Sequence, residues 1–334
     1  MKTLILGHDQ VKQLLTMKDC IEAIEAMFMT LAAGKAVLPL RQVMFDPEKK
    51  GALASMPSYL GEPKAFGAKV ITYFMGNMNT KFDSHQGAVL LFETENGRLL
   101  GIMDASSITA IRTAAASGVA TRLLARRNSK TLAILGSGTE ATTHLEVMLA
   151  VREVERVLVW SKTPDHARKF VERNTTSFPR VELKVAESIR QAVSNADIIC
   201  TTTGAVEPIL AGEWIKQGAH INAVGSSLPT ARELDSAAVL KSRLFVDRKE
   251  SALREAGDFL IPKKEGLIDD SHIKGEIGEV LTGRVIGRRE ESDVTLFKSL
   301  GIATEDVAAA HLLYTKALSQ GSGTWVEFSS ERET

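Results

Sequence analysis

Thr131-Leu-Ala-Ile-Leu-Gly136-Ser137-Gly138-Thr139-Glu140-Ala141 is the stretch whose residue types and spacing specify chemistry most directly. An apolar run of strand length stops at a glycine and gives way to a helix-like pattern from Thr142 to Ala150. In such a G-x-G-x-x-A turn the first glycine permits the tight bend, and the second lets the backbone approach a pyrophosphate. The small third residue lets the helix pack against its strand. The helix N-terminus then presents free N–H groups and a partial positive charge to the anion. The spacing alone also fits a tight βα turn that binds nothing. The strand before it and the helix after it favour a dinucleotide site built on residues 136–141.

The choice of dinucleotide is read at the end of the second strand of that unit. An acidic residue there bonds the adenosine ribose hydroxyls and selects NAD. This chain has Ser161-Lys162-Thr163 after Arg156–Trp160, with no carboxylate until Asp165. A hydroxyl beside a cation suits a 2′-phosphate, so NADP(H) is preferred and NAD(H) is possible. The alternative for Lys162 is a solvated loop lysine.

Three cations stand in apolar or small-residue surroundings: Arg41 after Leu38-Pro-Leu, Lys69 within Phe66-Gly-Ala-Lys-Val-Ile-Thr, and Arg112 within an Ala-rich run. A cation in such a segment is costly unless it meets an anion or projects to solvent. Taken singly, each reads as a surface or snorkelling side chain. Together, beside a nucleotide site, they suggest a pocket for a carboxylate. His85 is a candidate proton donor or cofactor contact, or a loop histidine with a structural hydrogen bond. The seven histidines show no metal-ligand spacing, and no Gly-x-Ser-x-Gly elbow is present.

The elements that must position these groups follow from periodicity. Strand-like runs at 131–135, 156–160, 181–185, 197–202, 220–224, 243–247 and 294–297 alternate with helical patterns such as Asp165–Asn174 and Ser188–Asn195. That rhythm predicts an α/β fold with a doubly wound parallel sheet. Before it, Asp9–Gly34 reads as helices, and Arg41 to Met103 as β-runs broken by turns, with Glu95-Asn96-Gly97 a hairpin turn. Ser106–Ala125 is a long Ala-rich helix, and Thr304–Leu318 another; the strand-like Thr324–Phe328 is expected to return to the first domain. The first domain is therefore expected to be discontinuous, residues 1–113 with 302–334, around a nucleotide domain at 114–301.

The chain has 334 residues, 25% of them charged, with a formal net charge of +0, which gives no electrostatic case for nucleic acid or an acidic membrane. No apolar run reaches transmembrane length. The opening Met-Lys-Thr-Leu-Ile-Leu is too short for a leader peptide. Cys20 and Cys200 read as separate thiols of a reducing, cytoplasmic compartment.

Phe66-Gly-Ala-Lys-Val-Ile-Thr, Ser84-His-Gln, Met103-Asp, Thr109-Ala-Ile-Arg-Thr-Ala-Ala, the Gly136 turn, His220-Ile-Asn-Ala-Val-Gly, Arg232-Glu-Leu-Asp and Phe297-Lys-Ser-Leu-Gly occur in that order. In this the chain resembles the ornithine cyclodeaminase/mu-crystallin family over residues 3–320, and within it the mu-crystallin branch of NADPH-dependent ketimine reductases. The resemblance implies a Rossmann domain plus a discontinuous α/β domain for dimerisation and substrate. It implies that Arg41, Lys69 and Arg112 grip a substrate carboxylate, and that His85, Gln86 and Thr113 lie near the cofactor. Thr202, Thr203, Val224 and Gly225 would lie beneath the nicotinamide, with Lys298 and Ser299 bordering it. Cyclodeaminases carry carboxylates where this chain has Ala54 and Ser227, so cyclisation with loss of ammonia is disfavoured. The expected reaction is reduction of a small cyclic imino acid, Δ1-pyrroline-2-carboxylate or Δ1-piperideine-2-carboxylate, by a homodimer. Alanine dehydrogenase-like reductive amination, cyclodeamination and noncatalytic NADPH-dependent ligand binding are the alternatives.

Overall fold

A computed structural model of the chain describes residues 2–48, 50–77 and 80–328; Met1 and residues 329–334, placed above at the ends of the first domain, lie outside the described residues. Two compact units form. Residues up to Arg112 and from Gly301 onward make one, and Thr113–Leu300 make the other.

In chain order the first unit has β1 (Lys2–Leu6), α1 (His8–Leu14), α2 (Met17–Ala32), β2 (Ala36–Val37), β3 (Gln42–Phe45), β4 (Ala52–Gly61), β5 (Lys64–Tyr73), β6 (His85–Phe92), β7 (Leu99–Asp104) and α3 (Ala105–Leu124), which crosses the boundary. The second unit has β8 (Thr131–Leu135), α4 (Thr139–Val151), β9 (Arg156–Trp160), α5 (Pro164–Thr175), β10 (Glu182–Val185), α6 (Ile189–Val193), β11 (Ile198–Thr201), β12 (His220–Ala223), α7 (Ser236–Lys241), β13 (Ser242–Val246), α8 (Lys249–Glu255), α9 (Gly257–Lys264), β14 (Ile273–Glu276), α10 (Ile277–Leu281) and β15 (Val294–Lys298). The chain then returns to the first unit through α11 (Ala303–Gln320) and β16 (Thr324–Glu327).

The first unit's sheet runs β16-β1-β7-β6-β5-β4-β2, with β3 paired to β4. The β4, β5 and β6 ladder is antiparallel and in register along its length, Ser55 opposite Val70 and Lys69 opposite Val89. Alternation then puts Ala65, Gly67, Lys69 and Ile71 of β5 on one buried face, and α11 packs on β4, β5 and β6. Gly67 is required by that packing, since a Cβ there would lie 2.5 Å from Val307. The turn at Glu95-Asn96-Gly97 joins β6 to β7 with Gly97 at φ 74°.

The second unit's sheet is parallel throughout, in the order β10-β9-β8-β11-β12-β15-β13-β14. The order reverses between β8 and β11, which is the topological switch where such sheets bind ligands at the carboxyl ends of their strands. The central strands β8, β11, β12 and β15 are buried on both faces, and β8 and β11 read as nearly continuous apolar runs, while β12 carries the buried polar His220 and Asn222. Both cysteines are buried and unbridged. No helix among the described residues is long and apolar enough to cross a membrane.

Candidate functional site

In the first unit the three cations expected from sequence converge. Lys69 sits mid-strand in β5, 3% exposed, with its ammonium 3.1 and 3.0 Å from the two oxygens of Asp306. It also reaches Thr109 Oγ1 at 3.3 Å. Arg112 of α3 shares the same carboxylate, donating from Nε to Asp306 Oδ1 at 2.9 Å and from Nη1 to Glu305 Oε2 at 2.7 Å. Arg41, just before β3, donates from Nη2 to the Gly301 carbonyl at 3.0 Å. Gly301 has φ 72°, and a Cβ there would lie 2.6 Å from Arg112 Nη1, so glycine lets the guanidinium lie against the backbone.

Two carboxylates that the sequence reading did not single out therefore complete the cluster. Glu305 and Asp306 lie in the first turn of α11, fully buried. In sequence they look like ordinary complements to a helix dipole. What would have found them is the requirement that buried cations have anionic partners. Lys69 and Arg112 thus each meet a carboxylate inside the cluster, and Arg41 donates to a main-chain carbonyl beside it. Burial opposes ionisation of Asp306, but Arg112 and Lys69 outweigh it and hold its carboxyl below the usual range. Lys69 is pushed down to about 8 by burial first and by the Arg112 charge second, with Asp306 pulling the other way.

His85 opens β6 and is exposed, its ring centroid 4.5 Å from that of Tyr73 and its Nδ1 3.0 Å from Ser84 Oγ. Burial of its packed side and then the Lys69 charge lower its pKa. Gln86, also exposed, donates to the Asp83 carbonyl. Ala54 lies in β4 opposite Ile71.

In the second unit the glycine turn joins β8 to α4. Gly136 has φ 127°, and a Cβ would meet Thr202 Oγ1 at 2.6 Å, so only glycine fits. Gly138, the N-cap residue of α4, has φ −84° and nothing within 4 Å of its Cβ position. Nothing in the chain itself requires glycine there, and the open space fits a diphosphate brought up to the backbone. Ala141 is fully buried. Thr139 is exposed, and Glu140 turns toward His144, its Oε2 3.7 Å from Nδ1. Ser137 donates to Ser161 Oγ at 3.0 Å. Lys162 and Thr163 are exposed beyond β9.

Thr202, Thr203, Val224 and Gly225 lie at the carboxyl ends of β11 and β12, and Thr202 Oγ1 donates to the Leu135 carbonyl at 3.2 Å. Ser299, just past β15, is 2% exposed and its Oγ has no hydrogen-bond partner among the described residues. A buried orphan hydroxyl at this end of the sheet is available to a polar ligand. Lys298 is turned inward, its Nζ 3.0 Å from Asp258 Oδ2 and donating to the Ser226 carbonyl. It holds the loop rather than offering a free ammonium. Thr113 is nearly buried in α3, and Ser227 is exposed in the loop after β12.

The ornithine cyclodeaminase/mu-crystallin family model matches residues 1–321. The chain belongs to that family. Among relatives it is 42% identical to a ketimine reductase mu-crystallin of Mus musculus over 294 residues, 88% of this chain and 90% of that protein. It is 36% identical to a Δ1-pyrroline-2-carboxylate reductase of Bacillus cereus over 327 residues, 97% of this chain and 100% of the relative. Its fold is similar to that of a Thermococcus litoralis Δ1-pyrroline-2-carboxylate reductase solved with NADH and L-proline. The TM-score is 0.94 at 42% identity, covering 96% of this chain and 99% of the other. The family motifs Phe66–Thr72, Thr109–Ala115 and the Gly136 turn are the segments that carry the cation cluster and the diphosphate-fitting turn.

Proposed function

We propose that this family member reduces a cyclic ketimine bearing a carboxylate, Δ1-pyrroline-2-carboxylate or Δ1-piperideine-2-carboxylate, to L-proline or L-pipecolate with NADPH. The observation that carries this reading is the convergence of buried Lys69 and Arg112 with half-buried Arg41. Two guanidinium groups and an ammonium brought to one place are the donors that a substrate carboxylate takes up. The relatives support it: one is named a ketimine reductase, and another was solved with NADH and L-proline.

The bound dinucleotide supplies a hydride from the nicotinamide to the imine carbon. The protein's own part is orientation and charge. Arg41 and Arg112 grip the carboxylate by charge-assisted hydrogen bonds, and fixing the C=N in place supplies much of the rate. An imine already protonated at nitrogen needs no acid. A neutral imine takes one proton at nitrogen, and Lys69, with a pKa of about 8, is placed to give it. Asp306 stays ionised and steadies the Lys69 ammonium before the transfer.

The Gly136–Ala141 turn and the α4 N-terminus hold the diphosphate. Ser161 and Lys162, with Thr163 beside them, take the 2′-phosphate and make NADP(H) the preferred carrier, while NAD(H) is accepted less well. Thr202, Thr203, Val224, Gly225 and Ser299 serve the nicotinamide half, and Thr113, His85 and Gln86 line the same cofactor. Ser227, assigned to the substrate, and Ala54 stand where cyclodeamination needs carboxylates, and neither supplies one. We further propose a cytoplasmic homodimer.

The test is a panel of preformed cyclic imines and of pyruvate with ammonium, followed by NADPH and NADH absorbance, and of ornithine, followed by release of ammonia and proline because cyclodeamination recycles the dinucleotide. Oxidation of NADPH by the five- or six-membered imine, exceeding that with pyruvate and ammonium, is expected. Turnover of ornithine or of pyruvate with ammonium, with none of either imine, would sink the reading.

A further inference from the structure

Glu233 belongs to the Arg232-Glu-Leu-Asp motif, and neither the turn nor the cation cluster accounts for it. It is fully buried. Its Oε1 accepts from Thr203 N and from Thr203 Oγ1, both at 2.7 Å. Its Oε2 accepts from Gly225 N and from Thr201 Oγ1, both also at 2.7 Å. One carboxylate thus ties the loop after β11 to the loop after β12.

The two loops are in close contact. A Cβ on Gly225 would lie 2.0 Å from Thr203 O and 2.6 Å from Glu233 Oε1. The clasp is itself held from behind. Asp258 Oδ1 accepts the backbone N–H of Glu233 and of Leu234 at 2.9 Å each, and Lys298 pairs with Asp258 while donating to the Ser226 carbonyl. Burial pushes the Glu233 carboxyl up and Lys298 pulls it back. Two of the four donors are backbone N–H groups, which cannot reverse, and they address different oxygens. A glutamine of the same shape has one carbonyl oxygen, so its amide nitrogen would necessarily face a backbone donor.

We propose that Glu233 is the positioning residue of the nicotinamide half of the cofactor site, fixing the Thr203 and Gly225 backbones through its two oxygens. This rests on the proposed use of a nicotinamide dinucleotide. It goes beyond that reading by dividing the site into two separately breakable halves, since Glu233 touches neither the Gly136 turn nor Ser161 and Lys162.

The test is calorimetric titration of wild type, Glu233→Gln and Thr201→Val with NADPH and NADH, and with the nicotinamide-free fragments 2′-phospho-ADP-ribose and ADP-ribose. The dinucleotide that wild type prefers should bind at least about tenfold more weakly to Glu233→Gln and more weakly to Thr201→Val, the loss of hydrogen bonds to a buried carboxylate. The matching fragment should bind all three proteins within about twofold. Thr201→Val removes a single hydroxyl and keeps the inference testable should Glu233→Gln fail to fold. Equal weakening of dinucleotide and fragment, or no weakening of either, overturns the positioning role. A wild-type protein that binds the fragments and dinucleotides with no difference overturns it as well. If wild type binds none of the four, the reading of function fails and the inference with it.

Discussion

At Lys69 burial and neighbouring charges compete over one proton. Its pKa of about 8, against 10.5 for an ordinary lysine, is set by burial, by Arg112 and, in the opposite sense, by Asp306. The protonated form is the one that pairs with an anion or gives up a proton. Activity should therefore be retained below that value and lost as pH rises through it. A pH profile of kcat/KM for the ketimine reaction is expected to fall above about 8. Lys69→Arg, whose charge persists, should move or abolish that limb. Lys69→Ala should lower kcat/KM at least about tenfold, while Asp306 remains paired to Arg112. A flat profile, or wild-type efficiency in Lys69→Ala, removes Lys69 from the chemistry.

The strand–turn–helix element from β8 to α4 is held by more than its glycines. His144 of α4 lies fully buried, with Nδ1 donating to the Glu140 carbonyl at 2.7 Å and Nε2 facing Ser117 Oγ of α3 at 2.9 Å. A carbonyl only accepts, so Nδ1 carries the proton and Nε2 accepts from Ser117 in a neutral ring. Burial lowers its pKa to about 4, and lowers that of His220 in β12 to about 3. The sign follows from linkage. Below about 6.5 the unfolded chain takes up protons that these folded imidazoles refuse, so stability is lost as pH falls from there toward about 4. Thermal melts from pH 7 to pH 5 should show a steady fall in Tm that His144→Gln, which does not titrate, makes shallower. An identical acid slope in the variant would mean that His144 is not responsible.

At the scale of the whole molecule, β3 presents apolar surface that a lone chain leaves uncovered. β3 is exposed along its length, with Val43 at 46%, Met44 at 66% and Phe45 at 62%, while Phe74, beside Gly51 at the head of β4, is 39% exposed. Apolar edge strands of this kind mark association sites. The proposed homodimer would cover them. Light scattering should give twice the 36.2 kDa chain mass for the protein at micromolar concentration. A Val43→Lys, Phe45→Lys double variant, altering one side of β3, should shift it to the mass of one chain with little change in Tm. A wild-type mass of one chain would refute the assembly.

The sequence by itself determined the parallel sheet. Strands of a parallel sheet covered by helices are mostly apolar, so 131–135, 156–160 and 220–224 stand out between helical patterns, and the structure has β8, β9 and β12 there. It also determined the glycine turn, because a positive φ hard against Thr202 tolerates no other residue than Gly136. It did not yield β1, five residues ending at a single glycine, whose role is set by partners β7 and β16 from distant parts of the chain. Nor did it yield α8 to α10, which are short, with Pro262 inside α9 and the polar Ile-Lys-Gly-Glu of β14 between them. The cations were legible because buried charge is rare in apolar sequence. Their partners were not, since Glu305 and Asp306 look like any acidic first turn until α11 is laid across β5. Only the tertiary structure decided that these charges meet, because pairing depends on which faces pack and not on distance along the chain.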